Sequence, residues 1–444
     1  MRYLGIIALS LLLLTKVTAQ EKYWGKVSGQ WRTYYQATWN KEDLKDFRTL
    51  ATGGKLKYEY DFKEKPWKIG AAIYTSINLG LQDLTIPDPI TGRYSRYETG
   101  MYDGNNLSDR FILFPGELYL TYAKSGHVVT LGRMKFVSPF INPEDGRMIP
   151  TLEQGLTYKY SNKSFGSFQF GAFNQIAARS TDGFYGIGET IGFYPVGRNV
   201  DGKPSYYAGN TDSDFLLTGN LDWNITEKLN LDVWEYYVDN VFNTIYLKPT
   251  YSISDYWSLS GEWLHQFRIG DGGNAVDSLR YFQDRTSNVL GAEVSWKPSK
   301  KSKFSAGYDR ILDGGRFLFP REWGREFLFS FQKRERSEGS ADNHAVLLTY
   351  DQSIQLGTSK IRSIASVGKH WKAELTNAAD NKYAVPDYTQ FNLDLFYTME
   401  KLGGLKPELL LVYKKANGTI PDNPNFFFNK VDMYQINFVL NYNF

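Results

Sequence analysis

Tyr434-Gln435-Ile436-Asn437-Phe438-Val439-Leu440-Asn441-Tyr442-Asn443-Phe444 sorts its side chains into two faces by simple alternation. Tyr434, Ile436, Phe438, Leu440, Tyr442 and Phe444 are all apolar or aromatic. Of the residues between them, Gln435, Asn437, Asn441 and Asn443 are amides, and only Val439 breaks the pattern. A helix of period 3.6 would mix the two sets, whereas a strand of period 2 keeps them on opposite sides.

The same alternation recurs along the chain. Val27, Gly29, Trp31, Thr33 and Tyr35 alternate with Lys26, Ser28, Gln30, Arg32 and Tyr34. Leu56, Tyr58, Tyr60 and Phe62 alternate with charged residues, and Trp67, Ile69, Ala71, Ile73 and Ile77 share a parity. So do Trp257, Leu259, Gly261, Trp263 and Phe267, then Phe391, Leu393, Leu395, Tyr397 and Met399, then Leu405, Leu409, Leu411 and Tyr413. Segments 127–135 and 343–351 are apolar on both parities, so their faces stay open. A soluble sandwich also alternates. Here, however, the runs last about 9–12 residues, the span of a tilted membrane strand, against about 5–6 in globular sheets. Aromatics gather at their ends, as interfacial girdles do. A mean hydropathy of −0.43 fits this reading, because a barrel carries its apolar band on every second residue only. The expected fold is all-β, a transmembrane antiparallel barrel. Its final aromatic resembles the C-terminal signal that barrel-insertion machinery reads.

Residues 1–19 read as a signal peptide: Arg2 gives the positive end, Leu4–Leu14 the apolar stretch, Val17 and Ala19 the small residues before cleavage. At about 11 residues that stretch is too short to cross a bilayer as a helix. Residues 20–444 then form one barrel domain. The chain has 51 Lys+Arg against 48 Asp+Glu, a balance that argues against nucleic acid as a partner. With no cysteine and four scattered histidines, thiol chemistry, disulfides and a zinc site are not expected. No cofactor is expected either.

At about 20–27 residues per strand with its share of loop, the mature chain makes about 16–20 strands, centred on 18. Such a barrel encloses an aqueous lumen. Asp61–Pro66, Asn224–Lys228 and Ser299–Lys303 read as short periplasmic turns, while 81–112, 136–154, 177–214, 270–287, 312–325 and 416–430 read as long outer or lumen-folding loops. With the apolar parity toward lipid, Lys26, Arg32, Lys55, Lys57, Lys68 and Arg268 point inward. Such charges either favour anions or merely keep the lumen wet.

The stretch 131–155 is the most specific. Leu131-Gly132-Arg133, Lys135, Pro139, Asp145-Gly146-Arg147, Pro150 and Gly155 together resemble the OprD-like family of outer-membrane porins. Phe304-Ser305-Ala306-Gly307-Tyr308 with Asp313-Gly314-Gly315, and Gly403-Gly404-Leu405, are weaker family-like pieces. The resemblance implies an 18-stranded monomeric barrel in the outer membrane of a Gram-negative bacterium. Residues 131–155 would be its constriction loop, and basic residues would line a pore for small hydrophilic solutes such as carboxylates or amino acids. The residues agree with part of this: three prolines in twelve positions cannot sit in a hydrogen-bonded ladder, so the chain must leave the wall here. Arg147 either braces the loop against Asp145 or, like Arg133, offers its planar fork to an anionic solute. The basic run Arg316, Arg321, Arg325, Lys333, Arg334 and Arg336 either faces it across the lumen or binds lipopolysaccharide phosphates at the rim.

Other motifs are weak. Gly186-Ile187-Gly188-Glu189 lacks a βαβ setting, Asp271–Asp277 is a turn before it is a calcium loop, and Ser260 and His265 differ in parity, so no enzyme is expected. The competing functions are an exporter of acidic polysaccharide and a structural or adhesive barrel with an occluded lumen.

Overall fold

Eighteen strands form one closed antiparallel wall in the computed structural model, which describes residues 25–104, 106–145, 147–194, 196–399 and 403–444. Residues 1–19, read as a signal peptide, lie outside the described residues, as do Gly146 and the side chain of Asp145.

In chain order the strands are β1 (Lys26–Trp39), β2 (Phe47–Asp61), β3 (Trp67–Asn78), β4 (Phe111–Lys124), β5 (His127–Met134) and β6 (Leu152–Asn162). Then come β7 (Gly166–Ala177), β8 (Leu216–Asn224), β9 (Leu229–Val238), β10 (Phe242–Ser252), β11 (Trp257–Arg268) and β12 (Thr286–Ser299). The last are β13 (Ser302–Ile311), β14 (Asn343–Leu356), β15 (Ser359–Trp371), β16 (Tyr388–Met399), β17 (Leu405–Ala416) and β18 (Met433–Asn443). A two-residue bridge at Tyr185–Gly186 adds to β7 outside this ring. Each strand pairs with the next, and β18 pairs with β1 through Trp31↔Tyr442 and Trp39↔Tyr434. Closure leaves no sheet edge, which hydrocarbon would not tolerate.

The alternation of the C-terminal stretch is the alternation of the wall. Tyr434 and Phe438 are exposed outward, while Gln435, Asn437 and Asn441 are buried inside. Trp31, Leu56, Ile73, Leu259, Trp263 and Phe391 likewise face out. Trp257, Trp296, Phe304 and Tyr350 stack in a row beside the short turns, at centroid distances of 5.7, 5.3 and 4.3 Å. Phe391, Tyr413 and Tyr434 stack beside the long loops, at 6.2 and 4.7 Å. These rows fit the two interfacial belts of a membrane barrel. The turns read as short are short, and the long connections all lie at the other end.

The inside departs from a uniformly wet tunnel. Trp234, Tyr236, Tyr246, Leu264, Val289 and Ile311 point inward from β9 to β13, and they are buried against Phe136, Phe140, Phe317, Phe319 and Trp323 of two inward loops. Phe140 alone meets Tyr236, Tyr246, Phe317 and Phe319 at 5.2–5.9 Å, pairs worth about 0.5–1.5 kcal/mol each beyond area burial. This explains the two apolar parities of segment 343–351. In β14, Leu348 and Tyr350 face out, while Leu347 faces in and is covered by the loop that follows β13. That loop runs through 312–342, beyond the 312–325 read from its glycines, because residues 326–342 also fold into the lumen.

Candidate functional site

Proline and aromatic content sends the 135–151 loop inward. Phe136, Phe140, Ile141, Met148 and Ile149 are too apolar to stay in water, and each is buried inside the barrel. The 312–342 loop meets it from the far side. Asn142 N–H donates to Trp323 O at 3.0 Å, Asn142 Nδ2 to Arg325 O at 2.9 Å, and Phe327 N–H to Pro139 O at 3.0 Å. The approach is close at Gly324, where φ is +148° and a Cβ would sit 2.6 Å from Asn142 N, so only glycine fits.

Buried carboxylates pin these loops by accepting backbone N–H groups. Glu322 takes those of Gly192 (2.9 Å) and Tyr194 (3.1 Å), and Glu262 and Asp309 of the wall take Phe329 (3.0 Å) and Ser330 (2.5 Å). Glu98 draws the 79–110 loop in, its Oε1 accepting from Thr38 Oγ1 at 2.7 Å. Ser180 Oγ then ties the 178–215 loop to Gly100 O at 2.8 Å. Burying so many carboxylates is costly unless each is hydrogen-bonded, which these are.

Four loops thereby meet around a narrow chamber of about 60 Å³, here the loop chamber. Its wall holds Arg96, Arg147, Arg179, Arg321, Arg325, Arg334 and Arg336, with Tyr97, Tyr194, Phe331 and one carboxylate, Glu335. Arg147, Arg325 and Arg334 also line a second chamber of about 390 Å³, the wall chamber. There they are joined by Arg32, Tyr34, Glu144, Lys333, Asp394 and Glu408, several from β1, β16 and β17.

The guanidinium planes are held by rings. Arg179 lies over Tyr194 at 4.1 Å, Arg96 over Tyr97 at 4.7 Å, Arg325 over Phe331 at 5.8 Å and Arg321 over Tyr383 at 4.0 Å. A ring face fixes the plane of a guanidinium without neutralising its charge. Behind Arg321 stands Glu338, which accepts from Arg321 Nε at 2.6 Å, Lys382 Nζ at 3.0 Å and Tyr383 Oη at 2.9 Å. Burial alone would push this carboxyl up, but Lys382 and Arg321 outweigh it and hold it at about 2. Glu326, equally buried, is pushed up to about 7 although Arg336 and its hydrogen bond from Ser337 N–H oppose the shift. Lys333 pairs with Asp394 at 2.5 Å, and Arg32 Nη1 donates to Arg147 O at 2.5 Å.

The family model for outer membrane porins of the OprD family matches residues 120–357, more than half of the chain, including the 135–151 and 312–342 loops. The chain belongs to the OprD family of outer membrane porins. Its fold is that of solved porins: Pseudomonas aeruginosa OpdK with vanillate matches at a TM-score of 0.69 and 15% identity, covering 94% of this chain and 98% of that one. Acinetobacter baumannii OccAB3 gives 0.71 and 12%, covering 95% and 99%, and Pseudomonas aeruginosa OccK3 gives 0.64 and 15%, covering 94% and 95%. No curated protein matches the chain significantly. Family and fold make this chain an outer-membrane channel protein.

Within the porin, Arg32, Arg147 and Arg321 meet at the two chambers, together with Arg325, Lys333, Arg334 and Arg336 of the basic run. Lys55, Lys57 and Lys135 gather elsewhere, around Glu117. Lys57 pairs with that carboxylate at 3.0 Å, and desolvation together with the nearby Lys55 pushes Lys135 down to about 8. Lys26 sits exposed at the turn end of β1, in the row of Glu59. Arg133 shares its row with outward Leu118; it donates to Gln154 Oε1 at 2.8 Å and lies over Phe184 at 4.5 Å. Arg268 donates to Gln283 O at 3.3 Å beside the outer loops. Arg316 is buried, donates to Arg198 O at 2.8 Å, and lines neither chamber. The side chain of Asp145, the expected brace of Arg147, lies outside the described residues.

Sequence reasoning placed Glu408 on an inner face but missed Arg96, Arg179 and Asp394. The only local signal was an arginine beside a tyrosine at 96–97; the rest depends on which loops fold inward. Among the described residues no acidic or histidine cluster forms a metal site. At the suspected calcium turn a cation is already present: Arg280 pairs with Asp277 at 2.6 Å and donates to Asp271 O at 2.6 Å. A concavity of about 1070 Å³ lined by Trp257, Trp296, Leu348, Phe391 and Tyr413 faces lipid and is no part of the pore.

Proposed function

We propose that the porin passes small anionic solutes, carboxylates foremost, by passive diffusion, with the two arginine-lined chambers as its selectivity filter. The observation that carries this reading is the joining of the chambers by Arg147, Arg325 and Arg334, so that an anion crossing from loops to wall stays in contact with cations throughout. A fixed positive field in a narrow, partly dry passage lowers the barrier for anions and raises it for cations. Bidentate donors suit a planar carboxylate. One similar porin, OpdK, was solved with vanillate, itself a carboxylate.

On this reading Arg32, Arg147 and Arg321 contact the solute, while Lys55, Lys57 and Lys135 with Lys26 draw it along the turn end of the lumen. Arg133, Arg268 and Arg316 support loops. The wall closes on itself without a partner chain, which favours a monomer inserted by barrel-assembly machinery, with outer-membrane lipid and lipopolysaccharide around it. The test is a planar-bilayer recording under a potassium chloride gradient. Discrete steps with an anion-selective reversal potential support the reading. Absence of steps favours an occluded structural barrel, and a cation-selective pore overturns the assignment. Loss of acidic polysaccharide from the medium of a deletion strain, with small-acid uptake intact, favours an exporter.

A further inference from the structure

We propose that the outer wall between β11 and β18 holds one phosphorylated lipid of the outer leaflet, its chains in an apolar concavity and its phosphate on Lys369 and Lys415. The site stands apart from the filter, since its side chains face away from the lumen. Strand pairing lays out the surface. Leu348, Val367, Phe391, Tyr413, Tyr434 and Trp39 are successive partners across β14, β15, β16, β17, β18 and β1, so they form one outward row. All six line the concavity of about 1070 Å³. Ala306, the partner of Leu348 on β13, lines it too, as does Ala365, two positions nearer the turns than Val367. These two small side chains lie between aromatic rims, with Trp296, Phe304 and Tyr350 on the turn side and Phe391 and Tyr413 on the loop side, and so dent the wall.

Lys369 and Lys415 stand two positions farther toward the loops. Lys369 pairs with Thr389 and Thr389 with Lys415, so the two share a row about 7 Å beyond the aromatic one and sit about 10 Å apart across two strand spacings. Both are exposed, and their neighbours His370 and Lys414 are buried inside, which turns the lysines outward. Lys369 Nζ lies 4.9 Å over the Trp371 ring, and neither lysine enters an ion pair among the described residues. Arg310 is already paired with Asp342, and Asp432 accepts Ala416 N–H at 2.9 Å. Two open ammoniums thus stand just past the outer aromatic belt, where a leaflet carries its headgroups. Lipid chains solvate any apolar wall, so hydrocarbon contact alone selects nothing. A dent gains van der Waals contact with a chain that enters it, and cations at its lip choose the headgroup that chain carries. A phosphate meets both ammoniums, whereas a zwitterionic headgroup brings its own cation to them.

The experiment is native mass spectrometry of the purified barrel titrated with diphosphorylated lipid A, its dephosphorylated form or phosphatidylcholine. The phosphorylated lipid should occupy one tight site. The other two should bind about 20-fold more weakly, the product of losing two cation contacts at about fivefold each in water. Lys369→Gln combined with Lys415→Gln should erase that preference. Ala365→Leu, which fills the dent and leaves the lysines in place, should weaken the phosphorylated lipid by about threefold and keep the preference. Heat-modifiable mobility checks that each variant is folded. Equal binding of the three lipids, a double lysine variant that keeps the preference, or a second barrel seated in the concavity that lipid A does not displace overturns the proposal. Wild-type affinity in Ala365→Leu also overturns it, leaving surface charge without a site. Ion selectivity should stay at the wild-type value in all these variants, so failure here leaves the filter reading untouched.

Discussion

Glu338→Gln removes one negative charge from the middle of the buried network that holds the 312–342 loop. The wild-type carboxylate accepts from Arg321, Lys382 and Tyr383 at 2.6–3.0 Å, and it and its two cationic partners are largely shielded from solvent. Removing one partner of a buried ion pair costs about 3–5 kcal/mol, because the remaining charge is left without compensation. The wall should survive, since its strands are held by their own ladders. The cost falls instead on docking of the loop, whose local release is governed by its own free energy. At about 1.4 kcal/mol per factor of ten, the released population rises by about 150- to 4,000-fold. Single-channel recording and limited proteolysis in detergent read this directly. The variant should show noisier, larger steps and faster cleavage within 312–342, with heat-modifiable barrel mobility unchanged. If Glu338→Gln leaves cleavage rate and conductance distribution at wild-type values, the network is not what holds the loop, and the reasoning fails.

Further outcomes follow from the same geometry. Arg147→Gln should lower the anion-to-cation permeability ratio by about fivefold, the effect of losing one charge about 4 Å from the path in water, as read from reversal potentials. Gly100→Ala should reproduce part of this loss while keeping the charge, because a methyl group there overlaps Arg147 Nη1 and pushes the guanidinium aside; ion selectivity in the folded variant checks it. Glu326 titrates with its folded value raised to about 7, above the ordinary carboxylate. Its contribution to holding the loop is therefore complete below about pH 4.5 and lost as pH rises through 7, so gating noise should increase from pH 5 to pH 8 and should not do so in Glu326→Gln. Gly324→Val should fail to dock the two inward loops, seen as protease sensitivity at both 135–151 and 312–342.

The sequence by itself determined the wall. Alternation in stretches such as 434–444, 67–79 and 257–267 is a local property, because a strand's side chains point to opposite sides whatever lies beyond. The position of the 135–151 loop, within the 131–155 stretch that the sequence marks, was equally local, since prolines cannot join a ladder. The tertiary structure decided the filter. Arg96, Arg147, Arg179 and Arg334 are separated by up to 238 positions and meet only because four loops fold into one lumen. It also decided that part of the inner wall is apolar: Tyr236 and Leu264 face inward against Phe140 and Phe319, which no pattern within β9 or β11 reveals. A strand records its own two faces, but whether the inner one meets water or a loop depends on residues a hundred positions away.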